Sequence, residues 1–253
     1  MCYSVKTLIE SQLKRALRNG AFQDAEQLRL HLTEIGATNL YHASGFSHPG
    51  MFIYPDCKSE PIYATWGLVP FWVKDNAAKL KIWNNTLNAR AESIFEKPAY
   101  RESAKSKRCL IYLDGFYEYH HSGGKAYPFF IRRIDSELLC VAGLWSEWHD
   151  KENHRTLQSF SIVTTVGNHL LAKIHNNPKL DGSRMPMILP DELAEDWINP
   201  DKSQAELKSL LLPYPDELLH AHSVLPISGK LSKRKVPEAD DEFSYPELVD
   251  FKF

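Results

Sequence analysis

Three apolar and aromatic runs between residues 108 and 148 are separated by very short polar links. The runs read RCLIYLDGFYEYH (108–120), YPFFIRR (127–133) and LLCVAGLWSEW (138–148), and they are joined by HSGGKA (121–126) and by RIDSE (133–137). Runs rich in aromatic and β-branched residues, bounded by Gly, Ser and Asp, are typical of strands. Because such short links return the chain alongside itself, they predict antiparallel neighbours.

Similar short apolar runs lie before residue 108 and after residue 148. In much of the rest of the chain, apolar residues recur at helical spacing. The predicted helices are a pair over about 4–35 and the segments 91–106, 167–175, 191–198 and 203–212. No repeat or low-complexity linker divides the chain. We therefore predict an α+β fold, with one domain over 1–236 and an acidic tail over 237–253. Its centre is expected to be a mixed, largely antiparallel, barrel-like sheet with flanking helices.

The charge of the chain permits a nucleic-acid partner without arguing for one. Lys and Arg number 30 against 32 Asp and Glu, but six of the acids lie in the tail, so residues 1–236 carry a formal +3. No run approaches the roughly 18 apolar residues of a membrane helix, and the N-terminus lacks the pattern of a signal peptide. We expect a cytoplasmic monomer with no membrane contact.

Metal and nucleotide sites find no support in the sequence. Eleven histidines are present, but no cysteine lies at zinc spacing from them. Cys109 and Cys140 lie in apolar runs typical of inert core residues, and Cys57 follows Pro-Asp in a predicted loop. The GxGxxG, Walker and GxSxG motifs are absent. We expect no metal and no cofactor.

Cys2 is chemically distinct from the other cysteines because it directly follows the initiator Met. Removal of Met1 would give Cys2 a free 1,2-aminothiol, with an amine pKa of about 7.7–8.0 and a thiol pKa of about 8.5. Such a group condenses with an aldehyde to a five-membered thiazolidine, which no internal cysteine can form. The alternative is that cysteine stands at the second codon by accident.

Several polar residues within or beside the apolar runs have two interpretations each. Glu118 lies among aromatics, where its pKa would rise for acid–base work, or it faces solvent as every second strand residue does. His175 is a proton shuttle or a favourable charge at a helix C-terminus. The motif LNARAES contains Asn88, Arg90 and Glu92, which are expected either to bind phosphates or to build a structural network.

The order of these segments along the chain is itself a pattern. It runs Met1-Cys2, WGLVPFWVKD (66–75), NARAES (88–93), RCLIYLDGFYEYH (108–120), YPFFIRR (127–133), VAGLWSEW (141–148), FSIVTT (160–165), IH (174–175) and RMPMIL (184–189). Taken together, they resemble the SRAP family, the SOS-response-associated peptidases or abasic-site processing proteins. The match covers most of the chain from residue 60 to 190.

The resemblance implies a SRAP-type domain whose N-terminal cysteine, Cys2, forms a thiazolidine with the opened sugar of an abasic site in single-stranded DNA. It implies that Asn88 holds the reacting sugar or the new linkage. Glu118 would move protons and hold the α-amine, and His175 would assist opening of the sugar ring.

The resemblance also implies a set of DNA contacts. Arg90 would bind backbone phosphate, for which its planar guanidinium is suited. The aromatics Trp66, Phe71 and Trp72 would wall the DNA groove or wedge against bases. For Trp66 a place in the core is an equal alternative.

The chain departs from the family pattern in places, and two rival functions stay open. The usual Cys-Gly-Arg start is Cys-Tyr-Ser here, and NNPKLDGS (176–183) separates His175 from RMPMIL. The first rival is a peptidase or amidohydrolase that uses the N-terminal cysteine as nucleophile. The second is a module that recognises damaged or modified DNA without forming a bond to it.

Overall fold

Two curled sheets and a layer of helices make up the fold in the computed structural model, which describes residues 2–34, 38–55, 60–227, 239–249 and 251. The strands are β1 (Ser4–Thr7), β2 (Leu40–Ser44), β3 (Gly50–Ile53), β4 (Ile62–Trp66), β5 (Asn88–Arg90), β6 (Arg108–Leu113), β7 (Gly115–Ser122), β8 (Lys125–Arg133), β9 (Leu139–Asp150), β10 (Arg155–Val166), β11 (Arg184–Pro186) and β12 (Leu219–Ser223). The helices are α1 (Ile9–Arg18), α2 (Phe22–Glu34), α3 (Asn76–Trp83), α4 (Arg101–Ser106), α5 (His169–Ile174), α6 (Ala194–Ile198) and α7 (Gln204–Ser209).

The strand order gives one antiparallel and one mixed sheet. The first sheet runs β12-β8-β7-β1-β2, and all of its neighbours are antiparallel. The second runs β3-β4-β10-β9-β6, and β5 and β11 also pair with β10. Only β4 and β5 run parallel to β10 among the pairs that the described residues form. The predicted α+β class, with a mixed and largely antiparallel sheet, is confirmed.

The main core lies between the two sheets. Val5, Phe116 and Ile131 of the first sheet pack with Ile111 and Phe160 of the second, and all five are fully buried. A second apolar layer, which includes Leu28, Leu144 and Trp197, lies between the second sheet and the helices α1, α2 and α6. Burial of large side chains on both faces of the second sheet explains why its strands read as nearly continuous apolar runs.

Two predicted helices begin or end differently in the structure. The predicted pair over 4–35 starts too early, because Ser4–Thr7 forms a strand whose backbone bonds to β2 and β7. The helix predicted over 91–106 is wrong for most of its length, since a single 3-10 turn precedes α4. Pro98 explains the interruption, because it lacks an N–H and disfavours a helical residue before it.

The helix α3 is not among the predicted helices, although its start is marked by a cap. Asp75 stands at its N-cap, and the carboxylate accepts a hydrogen bond of 2.8 Å from the Ala78 N–H. Asn168 and Ser203 cap α5 and α7 in the same way. These two helices therefore begin inside the segments predicted for them, 167–175 and 203–212.

The turn between β6 and β7 fixes the strand that carries Glu118. Asp114 accepts hydrogen bonds from the Leu8 N–H at 2.7 Å and from the Ser11 hydroxyl at 2.6 Å, so it holds the start of α1. A Cβ on Gly115 would lie 2.3 Å from the Phe130 ring, and only glycine fits there. The turn therefore sets the position of β7 against β1.

Arg108 stabilises the junction between α4 and α6 without a carboxylate partner in the described part of the chain. Its buried guanidinium donates to the carbonyls of Trp197, Ala104, Lys105 and Asn199 over 2.5–2.8 Å. These bonds satisfy helix C-terminal carbonyls that otherwise have no intrahelical partner.

Replacing Arg108 with methionine is expected to lower the free energy of unfolding by about 3 kcal/mol, because several buried carbonyls lose charged donors at once. Urea denaturation would measure the loss. Lys107→Ala is the matched control, because Lys107 forms a partly exposed pair with Glu147 that contributes about 1 kcal/mol at most. A loss for Arg108→Met no larger than that of the control would contradict this account.

The described part of the acidic tail packs against the first sheet. The Phe243 N–H donates to the Ser223 carbonyl at 2.8 Å, and the Lys6 ammonium pairs with Asp240 at 2.7 Å. The Phe251 ring contacts His120 with 4.4 Å between centroids. The division of the chain at residue 237 stays a prediction. In the residues that the structure describes, no helix has the length and apolar character needed to cross a bilayer.

Candidate active site

Cys2 lies two residues before the start of β1, the strand between β2 and β7. Its side chain is 0% exposed and belongs to the core between the sheets. The thiol donates weakly to the Ser4 carbonyl at 3.9 Å, and the Cys2 carbonyl accepts a hydrogen bond of 2.7 Å from the Asn88 side-chain amide. The start of the chain is therefore anchored to β5.

Asn88 has a buried acceptor beside Cys2. Its Nδ2 holds the Cys2 carbonyl, and its backbone carbonyl accepts from the Tyr100 hydroxyl at 3.0 Å. Its Oδ1 is buried and has no hydrogen-bond partner among the described residues. A buried amide oxygen without a partner is costly, so the atom is suited to receive a donor from a ligand or from the N-terminus.

Glu118 is buried on β7, where the pairing of that strand with β1 brings it towards Cys2. Burial raises the pKa of Glu118 to about 7, although the Tyr119 N–H donates to the carboxylate at 3.1 Å. Burial, followed by the negative charge of Glu118, raises the pKa of the Cys2 thiol to about 12. Glu118 therefore carries a proton part of the time near neutral pH, and the thiol keeps its own.

His175 ends α5, and its ring is held by the backbone of Arg184. The Arg184 N–H donates to Nδ1 at 2.9 Å, and the Arg184 carbonyl lies 3.2 Å from the same nitrogen. Burial lowers the pKa of His175 to about 4, so the ring is neutral at pH 7. A neutral ring supplies no charge to the helix C-terminus.

The end of α5 is clamped onto the strand that carries Glu118. The His121 N–H donates to the Asn176 side chain at 2.7 Å, and the Asn176 amide returns a bond of 3.0 Å to the His121 carbonyl. The Lys173 carbonyl lies 2.9 Å from the His120 ring. These contacts fix His175 relative to β7.

Glu92 belongs to a structural network. Its carboxylate binds Arg184 through two hydrogen bonds of 2.9 and 3.0 Å, and Arg184 also donates to the Thr164 carbonyl at 2.7 Å. Since Arg184 holds the His175 ring through its backbone, the pair supports the site indirectly. The sequence analysis named Glu92 but missed Arg184.

Arg90 is exposed at the end of β5, beside an open cleft of about 500 Å³. Trp72, Asn88, Lys97 and Tyr100 also line this cleft. The cleft therefore joins a residue that touches Cys2 to two exposed cations and an aromatic ring. Lys97 and Tyr100 were missed, because neither lies in a motif that marks it.

The three aromatics predicted to contact DNA are placed differently. Phe71 is 64% exposed and Trp72 is 48% exposed, so both rings face solvent. Trp66 is 0% exposed, and its indole N–H donates to the Leu87 carbonyl at 2.8 Å. The groove role predicted for Trp66 is therefore wrong, and its alternative place in the core is the observed one.

The geometry brings Cys2, Asn88 and Glu118 together and leaves His175 on the adjoining α5–β11 connection. A larger cavity of about 760 Å³, lined by Arg15, Tyr112 and Cys140 among others, contains none of the predicted site residues. No group of His, Cys, Asp and Glu side chains suited to a metal ion occurs among the described residues. The arrangement offers a buried thiol, a proton donor and acceptor, and oriented hydrogen-bonding groups.

Comparison with known proteins gives one consistent family. The family model described as SOS response associated peptidase (SRAP) matches residues 32–230. The abasic site processing protein YoqW of Bacillus subtilis is 39% identical over 161 residues, which are 63% of this chain and 66% of that protein. The abasic site processing protein HMCES of Xenopus tropicalis is 30% identical over 203 residues, which are 72% of this chain and 57% of that protein.

A solved structure has the same fold along nearly the whole chain. A protein from Bacteroides thetaiotaomicron superposes with a TM-score of 0.84 at 31% identity, covering 96% of this chain and 100% of that one. The chain spans slightly less than two thirds of the Bacillus relative and little more than half of the Xenopus one. The family match, the two relatives and this structure agree, and the chain belongs to the SRAP family.

Proposed function

We propose that this chain processes abasic sites in single-stranded DNA by forming a thiazolidine between mature Cys2 and the opened sugar. Two relatives are named abasic site processing proteins, and these names suggest the abasic site as the lesion. The observation that carries the proposal is the meeting of Cys2 with Asn88 and Glu118 at the start of the chain. A thiol there gains an adjacent amine once residue 1 is removed.

Loss of residue 1 converts the Cys2 nitrogen from an amide to a nucleophilic amine with a pKa of about 7.7–8.0. It also removes the atoms attached to that nitrogen, and the 0% exposure of Cys2 belongs to the chain that keeps them. The unpartnered Asn88 Oδ1 is a buried acceptor for the new ammonium or amine. Asn88 would then hold both the carbonyl and the amine of Cys2.

The proposed reaction balances with loss of one water. The amine adds to the sugar aldehyde and gives a carbinolamine. The protonated Glu118 carboxyl donates its proton to the carbinolamine hydroxyl, which leaves as water and gives an iminium. The thiol sulfur attacks the iminium carbon and closes the ring, and the Glu118 carboxylate takes the thiol proton, so the catalyst is restored. A Glu118 pKa of about 7 suits both halves of this cycle.

His175 and Arg90 have separate parts in the proposal. The neutral His175 ring would assist opening of the hemiacetal as a proton shuttle beside the sugar. Arg90 and Lys97 beside the cleft would bind backbone phosphates. The exposed rings of Phe71 and Trp72 offer stacking surfaces for bases. An unpaired strand brings its bases and its lesion to such a surface without unstacking a duplex.

The raised pKa of the Cys2 thiol favours this reaction over amide hydrolysis by the same cysteine. An amide needs attack by a thiolate, and burial together with the charge of Glu118 raises the pKa of the thiol, which lowers the thiolate fraction at pH 7. An iminium is a stronger electrophile and accepts the thiol as the proton leaves to Glu118. The peptidase alternative therefore receives less support from the site than thiazolidine formation.

A denaturing gel tests the proposal. Mature protein is incubated with a single-stranded oligonucleotide that carries one abasic site, and the expected result is a shifted band that survives denaturation. The matched control oligonucleotide carries a tetrahydrofuran residue, which has no aldehyde and should give no band. Protein that keeps residue 1 should also fail, because its Cys2 nitrogen is an amide. The absence of a band with the abasic oligonucleotide would refute the proposal.

A further inference from the structure

A pair of aromatic rings lies next to Cys2, because Tyr3 follows Cys2 in the chain and contacts Phe46. The Tyr3 and Phe46 rings lie with their centroids 4.9 Å apart and their planes at 33°. Phe46 is 56% exposed, and Tyr3 is half-buried. Tyr3 follows the proposed nucleophile directly, whereas the family pattern has glycine at that position. The ring pair is therefore a feature of this chain that the family resemblance does not explain.

The backbone holds the two rings in a fixed arrangement. The Gly45 N–H donates to the Tyr3 carbonyl at 2.8 Å, and Phe46 follows in a 3-10 turn over Gly45–Ser47. The turn is closed by the His48 N–H, which donates to the Gly45 carbonyl at 2.9 Å. A Cβ on Gly45 would lie 3.2 Å from Leu87, so the turn packs closely on the core. Little conformational entropy would be lost when a flat ligand settles on Phe46.

The electrostatic surroundings match a nucleotide. Burial raises the pKa of Tyr3, the charge of Glu118 raises it further, and the charge of Arg90 lowers it. The charges of both the buried carboxyl of the site and the exposed cation proposed to bind phosphate therefore act on Tyr3. A base attached to the sugar next to the lesion would have its phosphate at the cation and its ring beside the aromatic pair.

We propose that Tyr3 and Phe46 form a stacking platform for the unpaired base that neighbours the abasic sugar. This inference rests on the proposed function and adds a preference to it, because purines offer a larger stacking face than pyrimidines. Base–aromatic stacking tolerates any base sequence. The platform would therefore bind a larger neighbouring base more tightly, without hydrogen bonds to the edges of that base. In the Cys-Tyr-Ser start, Tyr3 stands where the family pattern has glycine and Ser4 where it has arginine, so an aromatic side chain is gained beside Cys2 and a basic one is lost.

Binding to unreactive oligonucleotides tests the platform separately from bond formation. Each oligonucleotide carries a tetrahydrofuran residue in place of the lesion, and the base on its 5′ or 3′ side is adenine, thymine or absent. Fluorescence anisotropy gives the dissociation constants. On one of the two sides, we expect wild-type protein to bind about tenfold more weakly when the base is absent, with thymine between the extremes.

Variants of Phe46 assign the effect to the ring. Phe46→Ala should bind all three oligonucleotides about as weakly as wild type binds the one without the base, and Phe46→Trp should restore the dependence. Phe22→Ala is the matched control, because Phe22 is 69% exposed on α2, which packs on α1, and the change should leave the dependence intact. Thermal unfolding would check that Phe46→Ala stays folded.

Three results would overturn the platform. The first is that wild-type protein binds equally well whatever base stands on either side of the tetrahydrofuran residue. The second is that it binds none of the oligonucleotides measurably. The third is that Phe46→Ala keeps the dependence of the dissociation constant on the neighbouring base. If the abasic oligonucleotide still gives the denaturation-resistant band, the proposed function survives and only the platform fails.

Discussion

Replacing Cys2 with alanine is expected to abolish the denaturation-resistant complex with abasic DNA, a loss of at least about a hundredfold in band intensity. Alanine is small enough for residue 1 to be removed, so the variant keeps a free α-amine. That amine can still form an imine, but without sulfur no ring closes, and an open imine hydrolyses when the protein is denatured. The gel of the proposed-function test measures the difference.

Chemical trapping separates the two steps in the same variant. Borohydride reduces an imine to a stable amine, so Cys2→Ala should regain a band when the reductant is present during the reaction. Cys109→Ala and Cys140→Ala serve as matched thiol controls, because both thiols are buried and neither carries an α-amine. A stable band from Cys2→Ala without reductant would show that another group forms the bond.

The pKa of the Cys2 thiol also bears on its lifetime in the cell. A thiolate is the form that oxidants attack, and burial beside Glu118 keeps Cys2 protonated. In the proposed reaction, the same surroundings would protect the thiol until an iminium is present to accept it. Reactivity would then depend on the presence of the lesion, because the proton would leave only as the ring closes.

The strands are readable from the sequence for local reasons, and the chemistry proposed for Cys2 rests on a local feature as well. Alternation and short links reveal β7, β8 and β9, because strand pairing across a tight turn depends on neighbouring residues. The aminothiol proposed for Cys2 depends only on its place after Met1. The α3 helix is not predicted although Asp75 caps it, because its sequence NAAKLKIW carries little helical amphipathicity.

Contacts between distant segments could not be read in this way. Arg184 supports His175 and binds Glu92, but 92 residues separate the ion pair. Tyr3 and Phe46 meet because β1 pairs with β2, and that pairing is hidden in a region predicted as helix. Trp66 was ambiguous because an exposed and a buried tryptophan look alike in the same motif, and only packing distinguishes it from Trp72.

Replacing Glu118 with glutamine is expected to slow formation of the complex about a hundredfold at pH 6. Glutamine keeps the shape of the side chain but can neither donate a proton to the leaving hydroxyl nor accept one from the thiol, and such transfers contribute about 10²–10⁴ to rate. Quenched time courses with wild type and variant would give the ratio. Glu147→Gln, which changes an exposed carboxylate on β9, should leave the rate unchanged.

The pH dependence of that ratio follows from the Glu118 pKa of about 7. The α-amine titrates in both proteins, so its effect cancels in the ratio. Loss of water from the carbinolamine needs the protonated carboxyl, which disappears as the pH rises through 7. The ratio of wild-type to variant rate should therefore be largest below pH 6 and should fall steadily towards pH 9. A ratio that is flat from pH 5 to 9 would contradict the proton-transfer role.

Stability measurements show whether slow reaction reflects damage to the fold. Burial raises the Glu118 pKa from 4.5 to about 7, so the folded state binds the proton more tightly than the unfolded state. This contribution to stability is complete below pH 4.5 and declines as the pH rises to about 7, by at most about 3 kcal/mol. Glutamine carries no such charge, so at pH 8 Glu118→Gln should unfold at a higher urea concentration than wild type. A variant that reacts more slowly but resists unfolding better would show that the buried carboxylate destabilises the fold and serves catalysis. A variant less stable than wild type at pH 8 would instead show that Glu118 stabilises the fold.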